Sequence, residues 1–124
     1  MIKPEDHIQQ AIVRYCQLKH IVCHSVPNEA VGRGCAPRQA MIRVEHLKTM
    51  GLLPGCADLV VWFPMQTGVC IGYVEVKQEK GHQSVHQKQF QEVCRSANVP
   101  YMVVRSLDDF DRLCKDICGN GRKG

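Results

Sequence analysis

Apolar residues recur along this chain with two different spacings, one helical and one of strand type. From Pro4 to about Lys19 the apolar positions Ile8, Ala11, Ile12, Tyr15 and Cys16 share one stripe of a helix. Proline is tolerated in a first turn, and Glu5 and Asp6 stand at the positive end of the dipole. Glu5 precedes Ile8 by three positions, which places it on the inward stripe. Ile21 to Val26 reads as a short strand closed by Pro27-Asn28, and Gly32-Arg33-Gly34 then marks a flexible basic loop. A second helix is expected from Pro37 to Met50, stopping at Gly51, with Met41, Val44 and Leu47 as its apolar line.

The rhythm then changes to that of strands. Leu59-Val60-Val61-Trp62-Phe63 and Val69-Cys70-Ile71-Gly72-Tyr73-Val74 are rich in β-branched and aromatic residues and predict a hairpin about the Pro64 to Val69 connection. Ser84 to Ala97 predicts a helix whose inward line is Phe90, Val93, Cys94 and Ala97, and Ser84 with Gln87 fits a capping box. Gln87 also lies three residues before Phe90, so it points toward the sheet. Pro100 to Val104 is a further core strand ended by Arg105. Ser106 caps a last helix with Leu107, Phe110, Leu113, Cys114 and Ile117 as its contacts. The order α-β-α-β-β-α-β-α predicts an α/β fold, a mixed central sheet flanked by helices. One domain is expected over residues 1–117, with a disordered tail at 118–124.

The strand pattern also organises the candidate chemistry. Asp58 opens the first hairpin strand, and Glu75-Val76-Lys77 ends the second. Side chains alternate between faces, so Val69, Ile71, Tyr73, Glu75 and Lys77 share one side. A register with residue 63 opposite 70 sets 58 opposite 75, whereas a slip of one residue would turn Asp58 away. Two carboxylates beside an ammonium at a strand end suit a hard divalent ion such as Mg²⁺ or Mn²⁺.

Asp58 followed by Glu75-Val76-Lys77 resembles the signature of the PD-(D/E)XK nucleases, and the flanking residues are similar to their VRR-NUC (virus-type replication-repair nuclease) branch. Glu5 with Ile8-Gln9, Val26-Pro27-Asn28, Leu47-Lys48 to Gly51, Pro54-Gly55 before Asp58, and Ser84 with Gln87 complete the match from Glu5 to Ser106. Ala57 stands where the superfamily's name has proline. The resemblance implies a restriction-endonuclease-like core and a Mg²⁺- or Mn²⁺-dependent endonuclease. In it Asp58, Glu75 and the Val76 carbonyl hold the ion, and Glu5 holds a second ion or a water. Lys77 acts on the nucleophilic water, and Gln87 lies near that water or the scissile phosphate. Arg33, Arg38, Arg43, Ser84 and Lys88 are the candidate DNA contacts. The implied substrate is branched DNA, and the implied enzyme is a homodimeric Holliday-junction resolvase acting in a bacterial or virus-infected cytoplasm. A flap or nicking endonuclease, and a catalytically silent DNA-binding module on the same fold, are the alternatives.

Composition changes this picture little. A net charge of +4 over 124 residues is mildly basic and favours nucleic acid only slightly. Eight cysteines could suggest a disulfide scaffold. The first residues lack the apolar core of a signal peptide and no run is long enough to span a bilayer, so reduced, mostly buried thiols and no membrane partner are expected. Cys114 and Cys118 lie one turn apart, but no histidine follows them and no C-x₂-C pair exists, which argues against zinc. Cys23-His24 face opposite ways on a strand, so a thiol nucleophile with that base is not supported.

Overall fold

The strand residues alternate between two faces, and the fold is the way helices cover each of them. A computed structural model describes residues 3–26, 37–51 and 53–123, with side chains through residue 119. In chain order the elements are α1 (Pro4–Lys19), β1 (Cys23–Ser25), α2 (Pro37–Thr49), β2 (Leu59–Met65), β3 (Gly68–Val76), α3 (Val85–Ser96), β4 (Tyr101–Val104) and α4 (Leu107–Lys123). The sheet order is β1-β2-β3-β4, antiparallel across the first two pairings and parallel between β3 and β4. It is the expected α/β architecture with a mixed sheet.

One face of the sheet is the apolar core. Leu59, Val61, Phe63, Val74, Val76 and Val104 are buried there against Ile12 and Cys16 of α1 and Phe110 and Cys114 of α4. Phe110 is the hub: its ring lies 5.6 Å from that of Tyr15, edge to face, and 5.8 Å from that of Phe63. The Tyr15 hydroxyl donates to Asp111 at 2.7 Å, which ties α1 to α4 by a polar contact at the rim. The other face is covered by α3. Phe90 packs edge to face on Tyr73 at 5.0 Å and lies 5.9 Å from Tyr101, and Cys94, Cys56 and Ala57 complete this smaller cluster.

Three expectations are corrected. β1 spans Cys23–Ser25, shorter than the expected Ile21 to Val26, with single backbone bonds from the Trp62 amide to the Val22 carbonyl at 2.9 Å and from the Val26 amide to the Asp58 carbonyl at 3.0 Å beyond its ends. Met41, Val44 and Leu47 do not form a buried line: α2 buries no residue, and Met41 is 65% exposed. A periodic stripe shows that a helix has two sides but does not supply the surface that covers one of them. Val93 and Ala97 are exposed too, since α3 rests on the sheet through Phe90 and Cys94. The last helix, α4, is described as far as Lys123. Pro27-Asn28 and the Gly32-Arg33-Gly34 loop lie outside the described residues.

Candidate active site

Pairing of β2 with β3 builds the site. Phe63 faces Cys70 and Val60 faces Tyr73, the register that carries Asp58 opposite Glu75 just past the last paired residues. The Asp58 carboxylate accepts from the Val76 amide at 2.8 Å, and its carbonyl accepts from the Val26 amide at 3.0 Å. Asp58 therefore extends the sheet in both directions. The turn that delivers it depends on Gly55, whose φ of +82° favours glycine. A Cβ there would also lie 2.2 Å from the His86 carbonyl oxygen, so the missing side chain lets this loop touch the first turn of α3.

Glu75 is the centre of the cluster and only 1% exposed. Its Oε2 accepts from Gln87 Nε2 at 2.7 Å and lies 3.5 Å from the Lys77 ammonium. Its Oε1 is buried with no hydrogen-bond partner among the described residues. Such an oxygen is unfavourable unless something else binds it. Burial first, and then the Asp58 charge, push the Glu75 carboxyl up to about 8, while Lys77 pulls it back and Glu5 adds to the rise. Burial likewise raises Asp58, against the opposing pull of the Val76 amide and Lys77.

The remaining expected residues divide into those that join this cluster and those that do not. Glu5 reaches it from α1, accepting from the Gln78 amide at 3.4 Å, and its charge is felt by both Asp58 and Glu75. Gln87 has two roles. Its Oε1 accepts from the Ser84 amide at 2.8 Å, and Ser84 Oγ accepts from the Gln87 amide at 3.1 Å, so the capping box fixes the side chain that grips Glu75. Lys88, one residue on, is exposed. Arg38 and Arg43 are exposed on α2, and no hydrogen bond or ion pair joins them to the cluster among the described residues; Arg33 lies outside those residues.

Sequence reasoning missed Arg105. Its guanidinium Nη1 donates to the carbonyls of Gln78 and Gly81 at 2.8 Å each and to that of Glu79 at 3.3 Å, clasping the turn that follows Lys77. Gln83 was missed as well; it donates to the Tyr101 hydroxyl at 3.1 Å and anchors the far end of the same connection. No motif marks either residue, because their partners are backbone carbonyls or lie on another strand.

The donor set decides whether a divalent ion fits. Among the described residues no three His, Cys, Asp or Glu side chains form a group that could hold a metal by themselves. Mg²⁺ does not require such a cage: one or two carboxylates suffice when waters and substrate phosphates supply the rest. Asp58 and Glu75, whose charges repel each other, with a bare buried oxygen on Glu75, meet that description. The residues therefore fit a hard ion.

Comparison with known proteins agrees with this reading of the fold. The VRR-NUC domain model matches residues 3–108. A solved structure titled "VRR_NUC domain protein" superposes with a TM-score of 0.65 over 94% of this chain and 89% of that one, at 15% sequence identity, a likeness of fold alone. No curated protein matches the sequence significantly. No described helix is long and apolar enough to cross a membrane. With the family model spanning most of its length, the chain belongs to the VRR-NUC family, nuclease domains of the PD-(D/E)XK type.

Proposed function

We propose that the protein is a divalent-metal-dependent, structure-specific endonuclease that hydrolyses phosphodiesters in branched DNA, acting as a homodimeric Holliday-junction resolvase. The observation that carries the metal centre is the buried, unpartnered Oε1 of Glu75 beside Asp58, with the Lys77 ammonium 3.5 Å from the other oxygen. In this reading Asp58, Glu75 and the Val76 carbonyl hold one Mg²⁺ or Mn²⁺, and Glu5 holds a water or a second ion. When bound, the ion lowers the pKa of a coordinated water and offsets charge on the attacked phosphate.

The chain's own residues supply the rest. Gln87 and Lys77 both engage Glu75 Oε2, which orients the carboxylate and reserves Oε1 as a donor. Lys77 is held among buried groups with its ammonium at the cluster, positioned to orient the attacking water and to stabilise negative charge on the phosphoryl oxygens. Lys88, Ser84, Arg33, Arg38 and Arg43 are proposed to contact the DNA backbone, positioning it without reading sequence. A resolvase cuts two strands symmetrically, and a domain with one such cluster does this most simply as a two-fold dimer.

Cleavage of labelled junction, flap and duplex DNA, side by side in Mg²⁺ and in EDTA, tests the proposal, with Asp58→Asn as the blank and the mass in solution measured in parallel. Paired symmetric cuts in the junction by a dimer are expected. A monomer that cuts only single flaps defeats the resolvase reading and leaves a flap or nicking enzyme. Binding that persists in EDTA with no cleavage of any substrate in Mg²⁺ or Mn²⁺ would make the protein a silent DNA-binding module.

A further inference from the structure

The turn after Lys77 is made of exposed polar residues, Gln78, Glu79 and Lys80, with half-buried Gly81, a composition that would leave it loose. It is instead fastened from three sides. Gly81 closes a tight turn on the Gln78 carbonyl at 2.9 Å. Arg105 donates to the carbonyls of Gln78, Glu79 and Gly81 from a single nitrogen. Glu5 accepts from the Gln78 amide, and a Cβ on Gly81 would stand 3.1 Å from that same Glu5 oxygen.

Arg105 is delivered to this turn by its own surroundings. It follows β4, whose parallel pairing with β3 includes Val76 opposite Val104, with the Lys77 amide donating to the Val104 carbonyl at 3.0 Å. Its amide donates to Asp109 at 3.0 Å while the Asp109 amide donates to Ser106 Oγ at 3.0 Å, so the cap of α4 fixes its backbone. A guanidinium stays charged at every working pH and presents donors in a rigid fork, which suits it to gathering carbonyls.

We propose that Arg105 is a positioning residue for the metal centre: by clasping the 78–81 turn it fixes the peptide that orients Glu5, and so sets the affinity of the site for a divalent ion. This rests on the reading of Asp58, Glu75 and Glu5 as that centre. The proposal and simple electrostatics differ in sign. Removing a cation near carboxylates would, by charge alone, tighten binding of a divalent ion. Loss of positioning weakens it instead.

The test is titration of the whole protein with Mn²⁺, followed by calorimetry or by the manganese paramagnetic signal, with thermal unfolding as a check on folding. Arg105→Met and Glu5→Gln are each expected to weaken Mn²⁺ binding about tenfold, the lower end of what loss of an outer-shell partner does. The double variant is expected to match Glu5→Gln alone within about twofold, because the arginine acts through the glutamate. Arg105→Lys, which retains a cationic donor, should recover part of the loss. Gly81→Ala pushes on the same Glu5 oxygen from the other side and serves if Arg105→Met does not fold; it too should weaken Mn²⁺ binding. Unchanged or tighter binding in Arg105→Met or in Gly81→Ala, or fully additive losses in the double variant, overturns the inference. Asp58→Asn separates the two levels. If it leaves Mn²⁺ affinity intact the metal-centre reading itself fails, whereas if it abolishes binding while Arg105→Met does nothing, only the positioning role falls.

Discussion

The two faces of the central hairpin are built to opposite rules. On one, Leu59, Val61, Phe63, Val74 and Val76 meet α1 and α4 in a wholly apolar layer. On the other, the same strands end in Asp58 and Glu75, and Glu75 and Lys77 are the buried charged side chains among the described residues. Strand alternation lets one stretch of nine residues serve both faces. The apolar face contributes stability in proportion to the area it removes from water. The charged face gives some of it up, since a buried carboxylate with a bare oxygen is unfavourable until a cation or proton meets it. Most of the apolar packing thus lies across the sheet from the charged cluster, whose own face carries the smaller Phe90 cluster under α3, and on the proposed function substitutions in the larger core and in the charged cluster should have opposite signatures.

The largest expected effect is on cleavage. Asp58→Asn, Glu75→Gln or Lys77→Ala should each lower the rate by roughly 10³-fold or more while leaving a folded protein; an active Lys77→Ala protein would remove the role given to that lysine. Next comes the apolar face: Phe110→Ala should lose about 3–5 kcal/mol of stability in denaturant titration. The molecules that remain folded should keep their turnover, and a selective loss of turnover instead would break the division between the faces.

A smaller effect concerns pH without added metal. The folded Glu75 carboxyl titrates at about 8 instead of 4.5, so the native state holds its proton more tightly than the unfolded chain does. Its contribution is full below about 4.5 and is lost as pH rises toward 8, and the rise at Asp58 acts in the same direction. The melting temperature should fall from pH 5 to pH 8, more gently in Glu75→Gln, and Mg²⁺ should restore it at pH 8. A wild-type protein that becomes more stable over this range contradicts the assignment. The smallest effect is at the surface: Lys88→Ala should weaken DNA binding modestly and reduce the slope of log affinity against log salt by about one.

How much of this was legible in the sequence follows the same division. The two hairpin strands were legible from their β-branched and aromatic runs, but their register was an assumption that a slip of one residue would have undone, and it is the pairing in the structure that sets 58 opposite 75. The start of α3 was legible because a capping box is a local signal, and there the capping role of Gln87 and its reach into the site both hold. Arg105 was not legible, because a guanidinium gripping carbonyls 24 to 27 positions away leaves no spacing to detect. Nor was the shallow burial of α2, none of whose residues is fully buried and whose stripe is half-buried at Val44 and Leu47 and exposed at Met41. The bare oxygen of Glu75 is a property of three dimensions: the sequence gives the acid, and only packing shows that one of its oxygens lacks a partner.

The central claim is that the carboxylates of Asp58 and Glu75 share one ion on the charged face of the sheet. Crystals of the wild-type protein soaked in Mn²⁺ and measured for anomalous scattering test this most directly. The account predicts a peak within bonding distance of Asp58 and of Glu75 Oε1, absent in Glu75→Gln; crystals that show manganese elsewhere, or none between these two residues, would contradict it.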